Sequence, residues 1–445
     1  MLFEYSNKTI KSIRVKITDK PGYLGRLTSL VGEMDGMFGE IKSVHIGKGY
    51  KIRDLDVYTD GEEQLKAILK EVEKLEGIEI IAVKDIVEEY HQGGKFKIVP
   101  TVPVETIDDL KIVYTPGVAS ICKQIAADKS LANQFTTIPN NVAIVTNGTA
   151  ILGLGDIGAV AGMPVMEGKA LLFSCLADIN GIPILIESHD SEVIIETVKN
   201  IAPTFGAIKL EDIKAPECFE IESRLQSMLN IPVMHDDQHG TAVVVLAALL
   251  NIAKYTFINL HQSSVGFIGL GAAGTGIFKL LKAYGVTKLI GTDLNADAKK
   301  LFSELGGTPT DLNGVMKDSK IVIATTGCPE LIKPEMIQSG QVILALSNPN
   351  PEIDPELAVK SGAIFAADGK SVNNALAFPG LFKGALSSKA RYINDRMKIA
   401  AAKTIASFAL EGDLVPNILN RKVHDAVALA VEQEAFKSGA AVNPE

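Results

Sequence analysis

The sequence predicts an α/β protein in three parts. A small module of element order βαββαβ occupies residues 1–90, a second α/β segment 91–240, and a doubly wound nucleotide-binding region with C-terminal helices 241–445. Three observations carry that reading. Residues 12–18 alternate apolar and polar side chains as a half-buried strand does, and Asp19-Lys20-Pro21-Gly22 follows with turn chemistry. From residue 264 onward, short apolar strands and helical stretches alternate regularly. At the first of those strand–helix junctions stands Gly269-Leu270-Gly271-Ala272-Ala273-Gly274.

In the first module a helix is expected from about Leu24 to Met34. Strand-like runs follow at 41–46 and 52–58, then a helix with apolar positions at Leu65, Ile68, Leu69, Val72 and Leu75, and a last strand from Ile78 to Val83. Gly93-Gly94 reads as a linker. Beyond it, apolar runs at 142–145, 170–176 and 182–187 alternate with helical stretches at 191–201 and 216–229. The third part gives strand 265–268, helix 273–284, strand 288–292, and buried strands at 321–325, 342–346 and 363–366. From about Lys389 it is Ala-rich and helical.

The 445 residues are 47% hydrophobic, enough for several cores, and carry a formal charge of −9 with no Lys/Arg block, which argues against nucleic acid and anionic membrane as partners. Cys122, Cys175, Cys218 and Cys328 have neither zinc spacing nor a disulfide pattern. Residues 1–11 lack the apolar core of a signal peptide, and the longest apolar run, 242–250, is too short for a bilayer. A cytoplasmic protein is expected.

G-x-G-x-x-G occurs twice, and context ranks the copies. Gly269, Gly271, Ala272, Ala273 and Gly274 follow a strand, open a helix and precede a second strand that ends at Asp293, as in a Rossmann-type dinucleotide site, with pyrophosphate at the helix N-terminus and the acid on the ribose hydroxyls. The charge of Asp293 would repel a 2′-phosphate, so NAD is expected rather than NADP, with Lys299 and Lys300 the residues that keep NADP open. The other copy, Gly153-Leu154-Gly155-Asp156-Ile157-Gly158, runs into Gly162-Met163-Pro164 and has no acidic strand end behind it. It reads as a tight turn.

Two acidic clusters, Leu210-Glu211-Asp212-Ile213 and His235-Asp236-Asp237-Gln238-His239-Gly240, supply the carboxylate oxygens that Mg2+ and Mn2+ prefer. Beside a hydride acceptor, such an ion suggests metal-assisted dehydrogenation of a small acid. The ordered blocks Tyr114-Thr115-Pro116-Gly117-Val118-Ala119, Gly153 to Gly158, Met166-Glu167-Gly168-Lys169, the two acidic clusters, Ser347-Asn348-Pro349, Asn373-Asn374-Ala375 and Phe378-Pro379-Gly380 resemble the bacterial malic enzyme family over about 100–400.

The resemblance implies a malic enzyme-like substrate domain and oxidation of L-malate by NAD or NADP with Mg2+ or Mn2+, followed by decarboxylation to pyruvate; the choice of NAD rests on Asp293 alone. It assigns Lys169 as base for the C2 hydroxyl and Tyr114 as acid toward C3. It assigns Glu211, Asp212 and Asp237 as metal ligands and Asn348 and Asn374 as substrate-binding amides, with Asp236 behind the ligands rather than among them. Ala150 stands where the large eukaryotic-type enzymes carry a carboxylate-binding arginine.

Residues 10–88, through the run Asp19 to Gly25, resemble the ACT regulatory domain, which implies a small effector held near that loop. A homodimer or higher homo-oligomer is expected. The alternatives are a malolactic enzyme, which keeps its NADH and releases lactate, and a non-catalytic effector sensor.

Overall fold

The computed structural model describes residues 8–151 and 153–442. The chain divides into two compact units, residues 1–97 and 98–445. In the first, strands β1 (Thr9–Thr18), β2 (Met37–Gly47), β3 (Tyr50–Thr59) and β4 (Ile78–Asp85) form an antiparallel sheet in the order β2-β3-β1-β4. Helices Tyr23–Glu33 and Glu62–Val72 are inserted after β1 and β3, where their apolar stripes meet one sheet face. Val15, Leu27, Val31, Leu55, Ile68 and Val72 fill the core between them. The expected βαββαβ order is observed.

In the second unit, β5 (Asn141–Thr146), β6 (Asn180–Leu185), β7 (Ala207–Leu210) and β8 (Val233–His235) make a parallel sheet in the order β6-β5-β7-β8. Strands β9 (Ser264–Ile268), β10 (Lys288–Thr292), β11 (Thr308–Pro309), β12 (Ile321–Ala324), β13 (Val342–Ala345) and β14 (Phe365–Asp368) make another, ordered β11-β10-β9-β12-β13-β14. That order reverses direction at β9, so the crevice at the carboxyl ends of β9 and β12 is where a nucleotide fits. β12 and β13 are uninterrupted apolar runs because helices cover both faces of a parallel sheet.

The apolar run at 170–176 is not a strand. It lies in the helix Met163–Ala177, where Met166, Ala170, Phe173 and Ala177 are buried at helical spacing. Periodicity over seven residues could not separate the two.

The run at 242–250 belongs to a 21-residue helix, Asp236–Thr256, which passes unbroken through residue 240. By length and composition this helix and the stretch 160–177 could cross a membrane. Every residue from Ala242 to Leu249 is buried in the protein, however, so its apolarity reflects an interior position. Against it packs the nucleotide-loop helix Ala272–Tyr284; a Cβ on Gly276 would run into the carbonyl of Gln238.

Candidate active site

Strands β7 and β8 are parallel neighbours, so their carboxyl ends deliver two acidic segments to one place. Glu211 and Asp212 follow β7. Asp236 and Asp237 form the first turn of the Asp236–Thr256 helix, where the helix dipole favours negative charge. Ligand atoms of Glu211, Asp212 and Asp237 lie within 4.8 Å of one another. The backbone is arranged for this: Asp212 has φ 51°, and its N–H donates to Asp237 Oδ2 at 2.9 Å.

Two lysines face these acids. Lys169, from the Met163–Ala177 helix, places Nζ 2.9 Å from both Glu211 Oε1 and Asp236 Oδ2 and donates to Asn374 Oδ1 at 3.2 Å. Lys209, fully buried on β7, pairs with Glu211 Oε2 and lies 2.9 Å from Asp236 Oδ2. Both ammonium groups sit over the Phe378 ring, at 5.0 and 4.7 Å.

Burial lowers the pKa of Lys209 to about 8, with Asp236 opposing the shift and Lys169 adding to it. Burial alone would raise Asp236, but the two lysines more than offset it and hold that carboxyl below its usual range. Asp212 is pushed up to about 7 by burial and then by the charge of Asp237.

These features fit a divalent cation. Two lysines face four carboxylates, which leaves two negative charges when all six groups are ionised. Asp212 Oδ2 is buried with no hydrogen-bond partner. A hard dication accepts oxygen ligands of this kind and removes the repulsion that raises Asp212.

A buried network holds the acidic turn from behind. Glu222 accepts the backbone N–H of His235 at 2.7 Å and Gln238 Nε2 at 3.1 Å. Lys398 donates to His239 Nδ1 at 3.0 Å, which leaves the ring proton on Nε2 for Glu222, 3.0 Å away. His235 Nε2 is 3.3 Å from Asp237 Oδ2. Gly240 is required here, since a Cβ would collide with Asp236 Oδ1.

At the carboxyl end of β9, Gly269 has φ 95°, Gly271 caps the Ala272–Tyr284 helix, and Ala272, Ala273 and Gly274 form its first turn. Asp293 lies just past β10; its oxygens accept the N–H of Leu270 at 2.7 Å and of Asn295 at 2.8 Å. Asn348 follows β13. Its loop is tied to the loop after β12 by the buried Glu352, which accepts from Thr326 N at 2.7 Å and Ser347 Oγ at 2.5 Å. Gly153, φ 75°, packs against the Asn348 carbonyl, so the second glycine motif is a turn that approaches the cleft closely.

The structure thus gathers Lys169, Glu211, Asp212, Asp237 and Asn374. Tyr114 ends the short helix Ile107–Val113 and is 65% exposed. Lys209 and Lys214 are both near enough in sequence to pair with these acids, and the structure gives that place to Lys209, buried on β7, while Lys214 pairs with Glu217. Glu222 and Lys398 carried no local signal, because their partners in the network lie 13 or more and 159 residues away.

Comparison with known proteins agrees with this geometry. Residues 93–194 and 187–226 match the malic enzyme N-terminal domain, and 305–436 match the malic enzyme NAD-binding domain. Residues 232–331 match the NAD-binding domain of D-isomer specific 2-hydroxyacid dehydrogenases. The chain is 51% identical to NAD-dependent malic enzyme 1 of Bacillus subtilis over 429 residues, covering 96% of this chain and 98% of that one. It is 42% identical to the bifunctional malic/malolactic enzyme of the same organism, covering 79% and 93%. The crystal structure of the NAD-dependent malic enzyme of Thermotoga maritima, 38% identical, superposes with a TM-score of 0.74 over 78% of this chain and 99% of its own. The chain therefore belongs to the malic enzyme family.

Proposed function

We propose that the protein oxidises L-malate with NAD and a divalent metal, Mg2+ or Mn2+, and decarboxylates the product to pyruvate and CO2. The observation that carries this is the Lys169 amine held between Asp236, Glu211 and Asn374 at the edge of a three-carboxylate cluster. When bound, the metal polarises the C2 oxygen as a Lewis acid and NAD accepts the C2 hydride.

Glu211, Asp212 and Asp237 are the residues that would hold the ion, while Asn348 and Asn374 bind the substrate carboxylates. Gly269, Gly271, Ala272, Ala273 and Gly274 cradle the pyrophosphate. Asp293 takes the ribose hydroxyls, and its charge disfavours a 2′-phosphate. Lys169 is the base for the proton of the C2 hydroxyl, with Asp236 and Asn374 fixing the position of its amine. The C3–C4 bond then breaks as CO2 leaves, and C3 receives a proton from the hydroxyl of Tyr114.

Residues 8–90 read as an ACT-like regulatory module whose Asp19–Gly25 loop receives a small effector. The sandwich order and the positive φ of Gly22 in that loop support this. Thermal-shift screening with single amino acids tests it; no shift with any of them counts against an amino-acid effector. The dispersed, unpaired cysteines support a cytoplasmic setting. The catalytic reading is tested by Lys169→Ala. Malate oxidation should fall by 100-fold or more, on the order of general-base removal, with Mn2+ binding retained. An active variant would remove Lys169 from its role.

A further inference from the structure

A cavity of about 480 Å³ lies among three helices, Glu217–Met228, Ala272–Tyr284 and the start of Asp395–Ser407. Neither Lys169, nor the three metal-binding acids, nor the nucleotide-loop glycines line it, so it is separate from the catalytic cleft. Its floor is the buried network that holds the acidic turn. Glu222, His239 and Lys398 are 6%, 9% and 6% exposed, and each is engaged. Lys398 donates to His239 Nδ1 at 3.0 Å and pairs with Asp395 at 3.2 Å, while the His239 ring donates to Glu222.

The walls are not engaged in this way. Lys279 makes no ion pair or hydrogen bond among the described residues, and its ammonium lies 5.3 Å from the centre of the Phe219 ring. The hydroxyls of Ser223 and Tyr392 have no hydrogen-bond partner among the described residues either. Charge then decides what such a cavity takes. Lys398 is balanced by Asp395, and Glu222 is turned to the donors of His235, Gln238 and His239. Lys279 is left as the lining charge with no opposite charge beside it. One spare positive charge and two free hydroxyls suit a single carboxylate, and Phe219 and Ile393 offer apolar surface to the body that carries it.

We propose that this cavity is a second binding site, for a small monocarboxylic acid, and that its occupancy is felt at the metal site through Glu222. The path is short. Glu222 accepts the N–H of His235 at 2.7 Å, and His235 Nε2 is 3.3 Å from Asp237 Oδ2. An anion in the cavity adds negative charge behind the acids and so strengthens their hold on a dication. By linkage the dication strengthens the hold on the anion by the same factor. The link rests on the malate reading for Asp237 as a metal ligand; the site does not.

Calorimetry with butyrate on the metal-free protein tests the site. Butyrate should bind and butylamine should not. Lys279→Ala should bind butyrate about ten-fold more weakly, as expected for the loss of a hydrogen bond to a charged group, and bind Mn2+ as the wild type does. The buried face of its helix is Ile277, Phe278, Leu280 and Leu281, so the variant should fold. No butyrate binding, equal binding by Lys279→Ala, or a preference for butylamine would overturn the site.

Mn2+ titrations with and without saturating butyrate test the link. Mn2+ should bind about five-fold more tightly with butyrate, the low end of such couplings, and the gain should vanish in Lys279→Ala. An Mn2+ affinity that butyrate leaves unchanged would overturn the link. Protein that binds no Mn2+ at all would overturn the catalytic reading instead, and the butyrate titration would then decide the site.

Discussion

At the scale of single residues, the site is an ionic cluster in which each charge depends on its neighbours. Lys209 is fully buried between Glu211 and Asp236. Removing one partner of a buried pair costs about 3–5 kcal/mol because the other charges lose compensation. Lys209→Met should lose stability of that order in urea titrations of metal-free protein, and added Mn2+ should restore part of it. Unchanged unfolding would mean that the lysine is not structurally engaged. Glu211→Gln should weaken Mn2+ binding by calorimetry by about 100-fold, the upper end for changes around metal sites. Tight binding by that variant would move the ion elsewhere. The acids and Lys169 were legible in the sequence because they sit in short, ordered blocks. The burial of Lys209 was not, because a lysine on a strand looks solvent-facing until the helix bearing Lys169 and the separate helix that begins at Phe378 are packed over it.

At the scale of elements, packing decides what pattern alone left open. The stretch 170–176 is apolar enough for a buried strand, but its burial recurs at helical spacing. Helix Asp236–Thr256 joins the two parallel sheets and presents Asp236 and Asp237 at its first turn. Leu246→Ala in its buried middle should cost about 2–5 kcal/mol. The helix Arg421–Lys437 carries His424, whose Nε2 lies 2.7 Å from the Ile418 carbonyl. Burial lowers the pKa of this ring, with the carbonyl contact partly opposing it. A lowered folded pKa means that the unfolded chain binds the proton more readily. The stability due to this group is therefore complete above about pH 6.5 and is lost as pH falls below it. The urea midpoint should drop on acidification through that range, and less so in His424→Gln. An identical pH profile for the variant would remove His424 as the cause.

At the scale of the whole molecule, the sequence pointed to the doubly wound region and the small βαββαβ module because their periodicities are long and their turns carry glycine. It could not show that Tyr114 ends a short helix with its side chain exposed. Only the absence of packing reveals that, and no local pattern encodes it. The Thermotoga enzyme matches this chain over 78% of its length, about the share that residues 98–445 represent, while 99% of its own length is covered. Deletion of residues 1–97 should therefore leave malate oxidation largely intact and remove any effector response. A folded truncation without activity would make the first unit part of the catalytic assembly.

The most direct measurement follows NADH absorbance with purified protein, L-malate, Mn2+ and either NAD+ or NADP+, with pyruvate and lactate quantified at the end point. The expected result is NADH and pyruvate in equal amounts, with NAD+ strongly preferred. Lactate without released NADH, or no product in the presence of metal and both nucleotides, would contradict it.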